Sequence, residues 1–441
     1  MKKTENWDTW IDRLTWNFTS CRDCLILFFV TTINIPVGIM KTFGLTVYRF
    51  FLRLTMLVYM MLMYAAEKLG KKTRYPLNGK NVILITGTFY SDHWLSTHLV
   101  PMALAKNCQK VIMVATSEVP QMENVEAIYP PPLLKKTIGT VPSRLLMFAW
   151  VAIKTRPEVV AGFHILINGL VVALLGKIIG ARSIYICGGG PREVLGGGYK
   201  TENRIFNRIH HPDERIERYL LKAVDKFYLV ITMGKTAVHY FQENGVKTRF
   251  EIVPGGFDGA VFAPSSSVPE YDLVLIGRLS EVKRVDLLLE AVKELKSTYP
   301  YISAVIVGDG PIRSALETLA DELGVKENVH FAGWQSHVDQ WLKKSKVFTL
   351  TSDSEGLSQA MIQAMLCGLP VVVSDVGDLG DMVVDGENGF LVQERTAKAF
   401  AEKISHLLGD ESYYAQASES ARRVSEKLEV ANVSKVWEQI L

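Results

Sequence analysis

Two cations and one carboxylate lie just beyond apolar runs in the second half of this 441-residue sequence. Arg278 ends the run "DLVLIGR", Lys283 follows five residues later, and Glu355 precedes an apolar helical segment. Helix N-termini attract anions, and hydrogen bonds from charged groups contribute about 1.5–3 kcal/mol each. The two cations and one helix end could supply roughly 5 kcal/mol to a diphosphate. The pattern therefore predicts that a diphosphate leaving group is bound here without a metal ion.

Glu355 would repel a diphosphate, so we expect it to act elsewhere in the same site. Its carboxylate either faces the hydroxyl groups of a sugar or caps the amides of the following helix. Eight residues later the chain has Gln363, a neutral side chain whose carbonyl oxygen can still accept a hydrogen bond.

Alternating β-rich runs and helical segments must position these residues. One series extends from Asn81 to Gly256 and another from Asp272 to Asp375, which indicates parallel βαβ units. Ligands of such sheets bind beyond the carboxyl ends of the strands, where the glycines Gly277 and Gly308 also lie. The sequence thus predicts an α/β protein with two doubly wound, Rossmann-like domains and a cleft between them. The expected segments are 76–262 and 272–425 for the domains, 263–271 for a Pro- and Ser-rich linker, and 426–441 for a terminal helix.

The composition excludes several classes of protein. A hydrophobic fraction of 48% with 22% charged residues describes a folded chain, and a net charge of +3 does not favour a nucleic-acid partner. Five scattered cysteines form no disulfide framework, and Cys21 and Cys24 lack the further ligands of a zinc site. We expect no metal ion and no cofactor.

The N-terminal segment 1–75 contains two apolar stretches, 24–40 and 45–66, followed by a basic cluster between Lys68 and Arg74. A positive cluster beside an apolar stretch favours the cytoplasmic face of a membrane. Arg49 and Arg53 share one helix face and could reach lipid headgroups. The sequence predicts a membrane-associating helical segment, with a pair of ordinary core helices as the alternative.

Several motifs of the second half resemble the retaining glycosyltransferases of family 4, which have the GT-B fold. They are "GRLSEVKRVDLLLEAV", "VGDGP", "VHFAGW", "SDSEGLSQAMIQAMLCGLPVVVSD" and "DGENGFLV", in this order. The resemblance is strong over 271–393, is weaker from Asn81 onward, and does not include the first 75 or so residues. It implies the GT-B fold, with an acceptor-side first domain, a second domain that binds a nucleotide sugar, and a terminal helix that crosses back.

The resemblance also implies roles for single residues. Glu355 matches the first glutamate of the family's E-x7-E motif, near the donor sugar, and His164 matches a histidine near the transferred sugar. Gln363 stands where the family commonly has the second glutamate, which holds the ribose. A buried structural role remains the alternative for His164. The implied donor-binding residues are Gly87, Arg278, Lys283, Gly308, Trp334, Gln335, Gly356, Leu357, Ser358 and Gln363.

The sequence departs from the family pattern mainly in the first domain. The loop "GTFYSDHW" has fewer glycines than usual, and "CGGGPREVLGGG" (187–198) is unusual. Its glycines could form an acceptor loop, a cradle for a further phosphate, or a mobile connection.

The resemblance implies a retaining transferase that moves a sugar from a nucleotide diphosphate sugar, UDP-linked, to an acceptor. The apolar N-terminal segment favours a lipid-linked acceptor, as in polysaccharide or glycolipid assembly. A nucleotide-sugar epimerase with the same fold is one alternative. Because the second glutamate is absent, a catalytically silent subunit that binds a partner enzyme at the membrane is another.

Overall fold

The structure, a computed structural model, describes residues 37–71, 79–88, 91–201 and 203–441. These residues form two β-sheets with only parallel strand pairs between the named strands. The strands are rich in Val, Ile and Leu because helices cover both faces of each sheet. The predicted α/β class with two doubly wound domains is confirmed. The first sheet contains β1 (Asn81–Thr86), β2 (Cys108–Val114), β3 (Val125–Ile128), β4 (Val159–Phe163), β5 (Arg182–Cys187), β6 (Leu229–Thr232) and β7 (Arg249–Ile252), and the second contains β8 (Tyr271–Ile276), β9 (Ala304–Val307), β10 (Val329–Gly333), β11 (Ser345–Leu350), β12 (Val371–Ser374) and β13 (Gly389–Val392).

The helices connect successive strands and supply the apolar surfaces that cover the sheets. Residues 24–36 of the first predicted apolar stretch, and Cys21 and Cys24, lie outside the described residues, as do residues 72–78 of the basic segment. The α-helices are α1 (Val37–Leu69), α2 (Asp92–Ala103), α3 (Pro132–Ile138), α4 (Thr140–Thr155), α5 (Leu170–Ile179), α6 (Glu214–Val224), α7 (Lys235–Glu243), α8 (Val285–Lys296), α9 (Arg313–Glu322), α10 (Val338–Leu342), α11 (Gln359–Leu366), α12 (Ala397–Gly409), α13 (Glu411–Ser425) and α14 (Val430–Ile440).

The strand order creates one crevice in each sheet. The first sheet has the order β3-β2-β1-β4-β5-β6-β7 and the second has the order β10-β9-β8-β11-β12-β13. The connections reverse direction beside β1 and beside β8, and ligands bind at such switch points, beyond the carboxyl ends of the strands. The loops after β1 and β8 therefore belong to the region where a functional site is expected.

The end of the chain returns to the first domain. The Val430 amide donates to the Phe257 carbonyl at 2.9 Å. The Asn107 side chain donates to the Glu438 carbonyl at 2.8 Å, and α14 packs against α2. This helix therefore packs against the first domain, although it follows the second domain in the chain.

Helix α1 packs along the first domain. Met56 and Met63 are buried there. The Arg53 guanidinium lies 2.8 Å from the buried carboxylate of Asp213, and Arg49 donates to two backbone carbonyl groups of the first domain. The expectation that both arginines reach lipid headgroups is therefore wrong, since the protein itself binds them.

Candidate functional site

A cleft of about 1930 Å³ separates the two domains. The residues that line it come from α2, from the loop after β7, from the strand ends of the second sheet, and from α11 and α14. The residues implied by the resemblance that line this cleft are Lys283, Trp334, Gln335, Glu355, Leu357, Ser358 and Gln363.

An ion pair lies at the second-domain wall of the cleft. The Lys283 ammonium is 2.6 Å from Oε1 of Glu355, and the Ser352 hydroxyl donates to the same oxygen at 2.5 Å. The Glu355 side chain is 10% exposed, so its charge needs this compensation. Lys283 is thus placed to contact an anion in the cleft and Glu355 at the same time.

Glu355 does not cap the helix that follows it, so that alternative is wrong. Helix α11 begins at Gln359, and the Ser358 hydroxyl accepts a hydrogen bond from the Met361 amide. Ser358 is a preferred N-cap residue type, whereas Glu355 lies three residues before the cap. The Glu355 carboxylate therefore belongs to the cleft rather than to the helix terminus.

Other predicted donor residues differ in their surroundings. Trp334 is 73% exposed and presents its indole ring to the cleft. The Gln335 side chain instead donates to the Ala332 carbonyl at 2.8 Å. Arg278 is exposed and lies outside the residues that line the cleft, although it directly follows Gly277, which does line it.

The three predicted glycines also lie outside the cleft lining. Gly308 is half-buried and has φ +148°, and a Cβ atom there would overlap the Gly277 carbonyl, so it serves the packing of strand ends. Gly87 packs against Phe163, and nothing lies within 4 Å of where a side chain on Gly356 would begin.

Gln363 contacts the opposite domain. Its buried amide Nε2 forms a hydrogen bond with Nε2 of His93, near the start of α2. Burial lowers the pKa of His93, so the neutral imidazole can accept this bond. The residue in the position of the second glutamate therefore links the two walls of the cleft.

His164 directly follows β4, and its side chain is 18% exposed. Its ring is parallel to that of Trp94, with centroids 6.5 Å apart, and Trp94 lines the cleft. Its Nδ1 is 2.8 Å from Oε1 of Glu193. Burial opposes ionisation of Glu193, but the interactions with His164 and two backbone amides outweigh it and lower the pKa of this carboxyl.

A second contact between the domains involves the start of α7. Its N-cap residue, Gly234, has no side chain, and carboxylates of the second domain take that role. Asp378 accepts from the Thr236 amide at 2.7 Å, and Asp381 accepts from the Lys235 amide at 2.7 Å. A methyl group on Gly234 would overlap Asp378, so glycine permits this close approach.

Sequence reasoning did not find the functional roles of His93, Trp94, Glu193, Asp378 and Asp381. Glu193 lies in the unusual glycine-rich stretch 187–198, and His93 and Trp94 lie in the loop "GTFYSDHW", which has fewer glycines than the family pattern. Asp378 and Asp381 have partners more than 140 residues away in the chain, Thr236 and Lys235.

Residues 262–424 match the family model described as "Glycosyl transferases group 1". This segment contains the whole second sheet and every cleft residue from Lys283 to Gln363. The first domain lies almost entirely outside the match.

Curated relatives match over part of their own length. The lipopolysaccharide core biosynthesis glycosyltransferase LpsE of Rhizobium meliloti is 34% identical over 144 residues, which are 33% of this chain and 41% of LpsE. An exopolysaccharide phosphotransferase of Streptomyces coelicolor is 30% identical over 228 residues, or 51% of this chain and 24% of that protein. The matches thus span less than half of either relative.

A solved structure shares the overall fold. HepE of Anabaena, solved in complex with UDP-glucose, has a TM-score of 0.61 and 20% sequence identity. The comparison covers 82% of this chain and 99% of HepE. The fold is therefore GT-B.

Proposed function

We propose that this protein is a retaining glycosyltransferase that takes its sugar from a UDP-linked donor. The observation that carries the proposal is the Lys283–Glu355 ion pair in the cleft. Glu355 lies three residues before Ser358, the cap of α11. A cation, a carboxylate and a helix N-terminus meet there, beside the exposed ring of Trp334. The match of 262–424 to the group 1 glycosyltransferases supports it.

Each of these groups has a separate task in the proposed reaction. As the bond between the anomeric carbon and the diphosphate oxygen breaks, negative charge builds on the diphosphate. Lys283, Arg278 and the amides before α11 stabilise that charge, and roughly 5 kcal/mol corresponds to nearly four decades of rate. Glu355 accepts hydrogen bonds from sugar hydroxyls, and Trp334 packs against the uracil base.

We further propose that the acceptor is lipid-linked and that the enzyme works at the cytoplasmic face of a membrane, in polysaccharide or glycolipid assembly. Gly44–Leu69 is long and apolar enough to cross a membrane, and 11% of its most apolar window is buried. Because Met56 and Met63 pack on the first domain, we propose that α1 lies along the membrane surface.

The neighbouring helix α4 supports the membrane proposal. Its exposed residues Leu146, Trp150 and Ile153 repeat at helical spacing, and Lys154 lies over the Trp150 ring at 4.7 Å. Both α1 and α4 pack against α5, so their apolar faces belong to the same side of the first domain. Lysine beside exposed aromatic and aliphatic side chains suits an anionic lipid surface.

A screen of nucleotide sugars tests the enzyme proposal. A donor should raise the melting temperature, because ligand binding stabilises the native state, and should be hydrolysed slowly in the absence of acceptor. A Lys283→Ala variant should lose both effects. Stabilisation without hydrolysis or transfer would instead support the catalytically silent subunit, and epimerised donor would support the epimerase.

A further inference from the structure

Glu193 accepts four hydrogen bonds and lies directly behind His164. Its Oε1 accepts from Nδ1 of His164 at 2.8 Å and from the Gly189 amide at 2.5 Å. Its Oε2 accepts from the Ile165 amide and from the Tyr185 hydroxyl. Both carboxylate oxygens are therefore occupied by donors, which favours the ionised form.

These contacts fix His164 in two ways. Nδ1 must carry a proton to donate to Glu193, which sets the tautomer of the neutral ring. The backbone of His164 has φ +63°, a left-handed conformation that is costly for a residue with a Cβ atom. The amide of Ile165, the residue after His164, donates a hydrogen bond to Glu193 and so holds this conformation.

The glycine-rich stretch 187–198 brings the carboxylate into place. It forms two short 3-10 turns, Gly190–Glu193 and Leu195–Gly197. A Cβ atom on Gly189 would lie 2.8 Å from Oε1 of Glu193, and one on Gly198 would lie 2.7 Å from the Leu166 side chain. The glycines thus allow the backbone to close tightly around Glu193.

We infer that Glu193 is a positioning residue, whose carboxylate holds the ring of His164 in one orientation and tautomer beside the transferred sugar. The place of His164 beside the transferred sugar is what the family resemblance implies and rests on the proposed function, whereas the carboxylate–imidazole pair is independent of it. The negative charge of Glu193 also favours the imidazolium form of His164.

Three described titratable groups around the pair, Tyr185, Cys187 and His98, are neutral. Burial raises the pKa of the Tyr185 hydroxyl and of the Cys187 thiol, so both are neutral. Burial lowers the pKa of His98 to about 4, so it is also neutral near pH 7. The charge of Asp378, in the second domain, also raises the pKa of Cys187. Trp94 carries no charge.

The first test follows the ring of His164 in full-length protein labelled with ¹⁵N-histidine. Its signal is identified by its loss in His164→Asn. In Glu193→Gln the ratio of imidazolium to neutral imidazole at a given pH should fall at least tenfold, which is a decrease of one pKa unit or more. Tyr185→Phe, which removes a donor from the other oxygen and keeps the charge, is the matched control and should leave the His164 tautomer unchanged. Identical His164 titrations in wild type and Glu193→Gln would overturn the inference.

The second test measures turnover of the nucleotide sugar that is active in the screen. Glu193→Gln and His164→Asn should each lower kcat at least tenfold and leave the donor KM within about threefold. The double variant should lose no more than the more impaired single variant, because both changes remove one unit. Full kcat in Glu193→Gln, or in His164→Asn, would overturn the positioning role.

The two proposals can fail separately. If the wild type turns over no nucleotide sugar, the proposed function fails. The histidine signals still show whether Glu193 sets the tautomer and pKa of His164. If Glu193→Gln does not fold, Gly189→Ala displaces the same carboxylate and should lower the His164 pKa in the same direction.

Discussion

At the scale of single residues, Lys283 has two negative partners, the Glu355 carboxylate and, in the proposed reaction, the diphosphate. Lys283→Ala would remove a donor to the diphosphate and the cation paired with Glu355, which would keep the hydrogen bond from the Ser352 hydroxyl at 2.5 Å. Arg278→Ala would remove the second cation near the end of β8. We expect turnover to fall at least roughly tenfold in each variant, with the fold intact.

Steady-state kinetics measure the turnover of each variant, and thermal melting shows whether its fold is intact. Lys326→Ala is the control, because this exposed lysine pairs with Asp321 at 3.5 Å and does not line the cleft. Near-normal turnover in both Arg278→Ala and Lys283→Ala would remove the proposed diphosphate site.

Gln363 and Glu355 should differ in their importance. Gln363→Glu restores a charged acceptor, which is worth roughly 1 kcal/mol more than a neutral one, so the donor should bind as tightly or up to about fivefold tighter. The new carboxylate would also raise the pKa of His93 through their contact. Turnover should change little, whereas Glu355→Gln should reduce it sharply.

Calorimetric titration with the donor and kcat measurements separate these effects. His93→Ala in the wild-type and Gln363→Glu backgrounds serves as the control for the contact across the cleft. If the wild type is inactive with every nucleotide sugar and Gln363→Glu creates activity, the protein is a silenced relative and the enzyme proposal is wrong.

The sequence predicted some of these residues better than others. Lys283 and Glu355 follow apolar strands at the sheet edge where doubly wound folds bind ligands, so topology alone brings them together. Glu193 acts on a histidine 29 residues earlier, and His93 meets a side chain 270 residues away. Such pairs depend on loop conformation and domain placement, which local patterns do not determine.

At the scale of elements, the start of α7 depends on carboxylates from the other domain. An N-cap contributes about 0.5–2 kcal/mol, and here that contribution exists only while the domains are in contact. Asp378→Ala should therefore weaken the contact between the domains, and with it donor binding, more than it weakens either domain alone. We expect a lower melting temperature and a higher donor KM.

Small-angle X-ray scattering and donor kinetics measure this effect, with a larger radius of gyration expected for the variant. Asp321→Ala is the control, because it removes an exposed carboxylate whose Oδ1 lies 3.5 Å from Nζ of Lys326. An unchanged radius and an unchanged KM in the Asp378→Ala, Asp381→Ala double variant would contradict this role of the cap.

Element boundaries show what local sequence can and cannot predict. The sequence allows either Asp92 or Ser91 as the cap of α2, and the cap is Ser91, whose hydroxyl accepts from the Trp94 amide at 3.1 Å. Helix α11 begins at Gln359, because Ser358 is the cap. The glycine-rich stretch became two 3-10 turns around a buried carboxylate, a result of tertiary packing that glycine spacing does not encode.

At the scale of the whole molecule, the alternation of strands and helices was enough to predict two doubly wound domains. The relation between those domains was not predictable, since it rests on contacts such as Asp378 to Thr236. The position of α1 was also not predictable. A helix with apolar residues on all sides does not indicate which face packs on protein and which remains exposed.

The last prediction concerns that exposed face. Phe50, Leu54, Leu57 and Met61 are 43–65% exposed and follow one another at helical spacing, opposite the buried Met56 and Met63. Inserting each such side chain into lipid contributes about 1.5–3 kcal/mol, so replacing Phe50 and Met61 by Glu should abolish binding to anionic vesicles. The control replaces Val268 and Tyr301 by Glu, because these residues are 87% and 94% exposed outside α1 and the charge change is the same. These substitutions test the surface more cleanly than a chain that starts near Lys72, which would uncover the part of the first domain that packs on α1. The full chain should sediment with membranes and need detergent for release, and the α1 variant should not. If the full chain stays soluble without detergent, the membrane proposal is wrong, and a concentration-dependent dimer would show that a second copy covers this face instead.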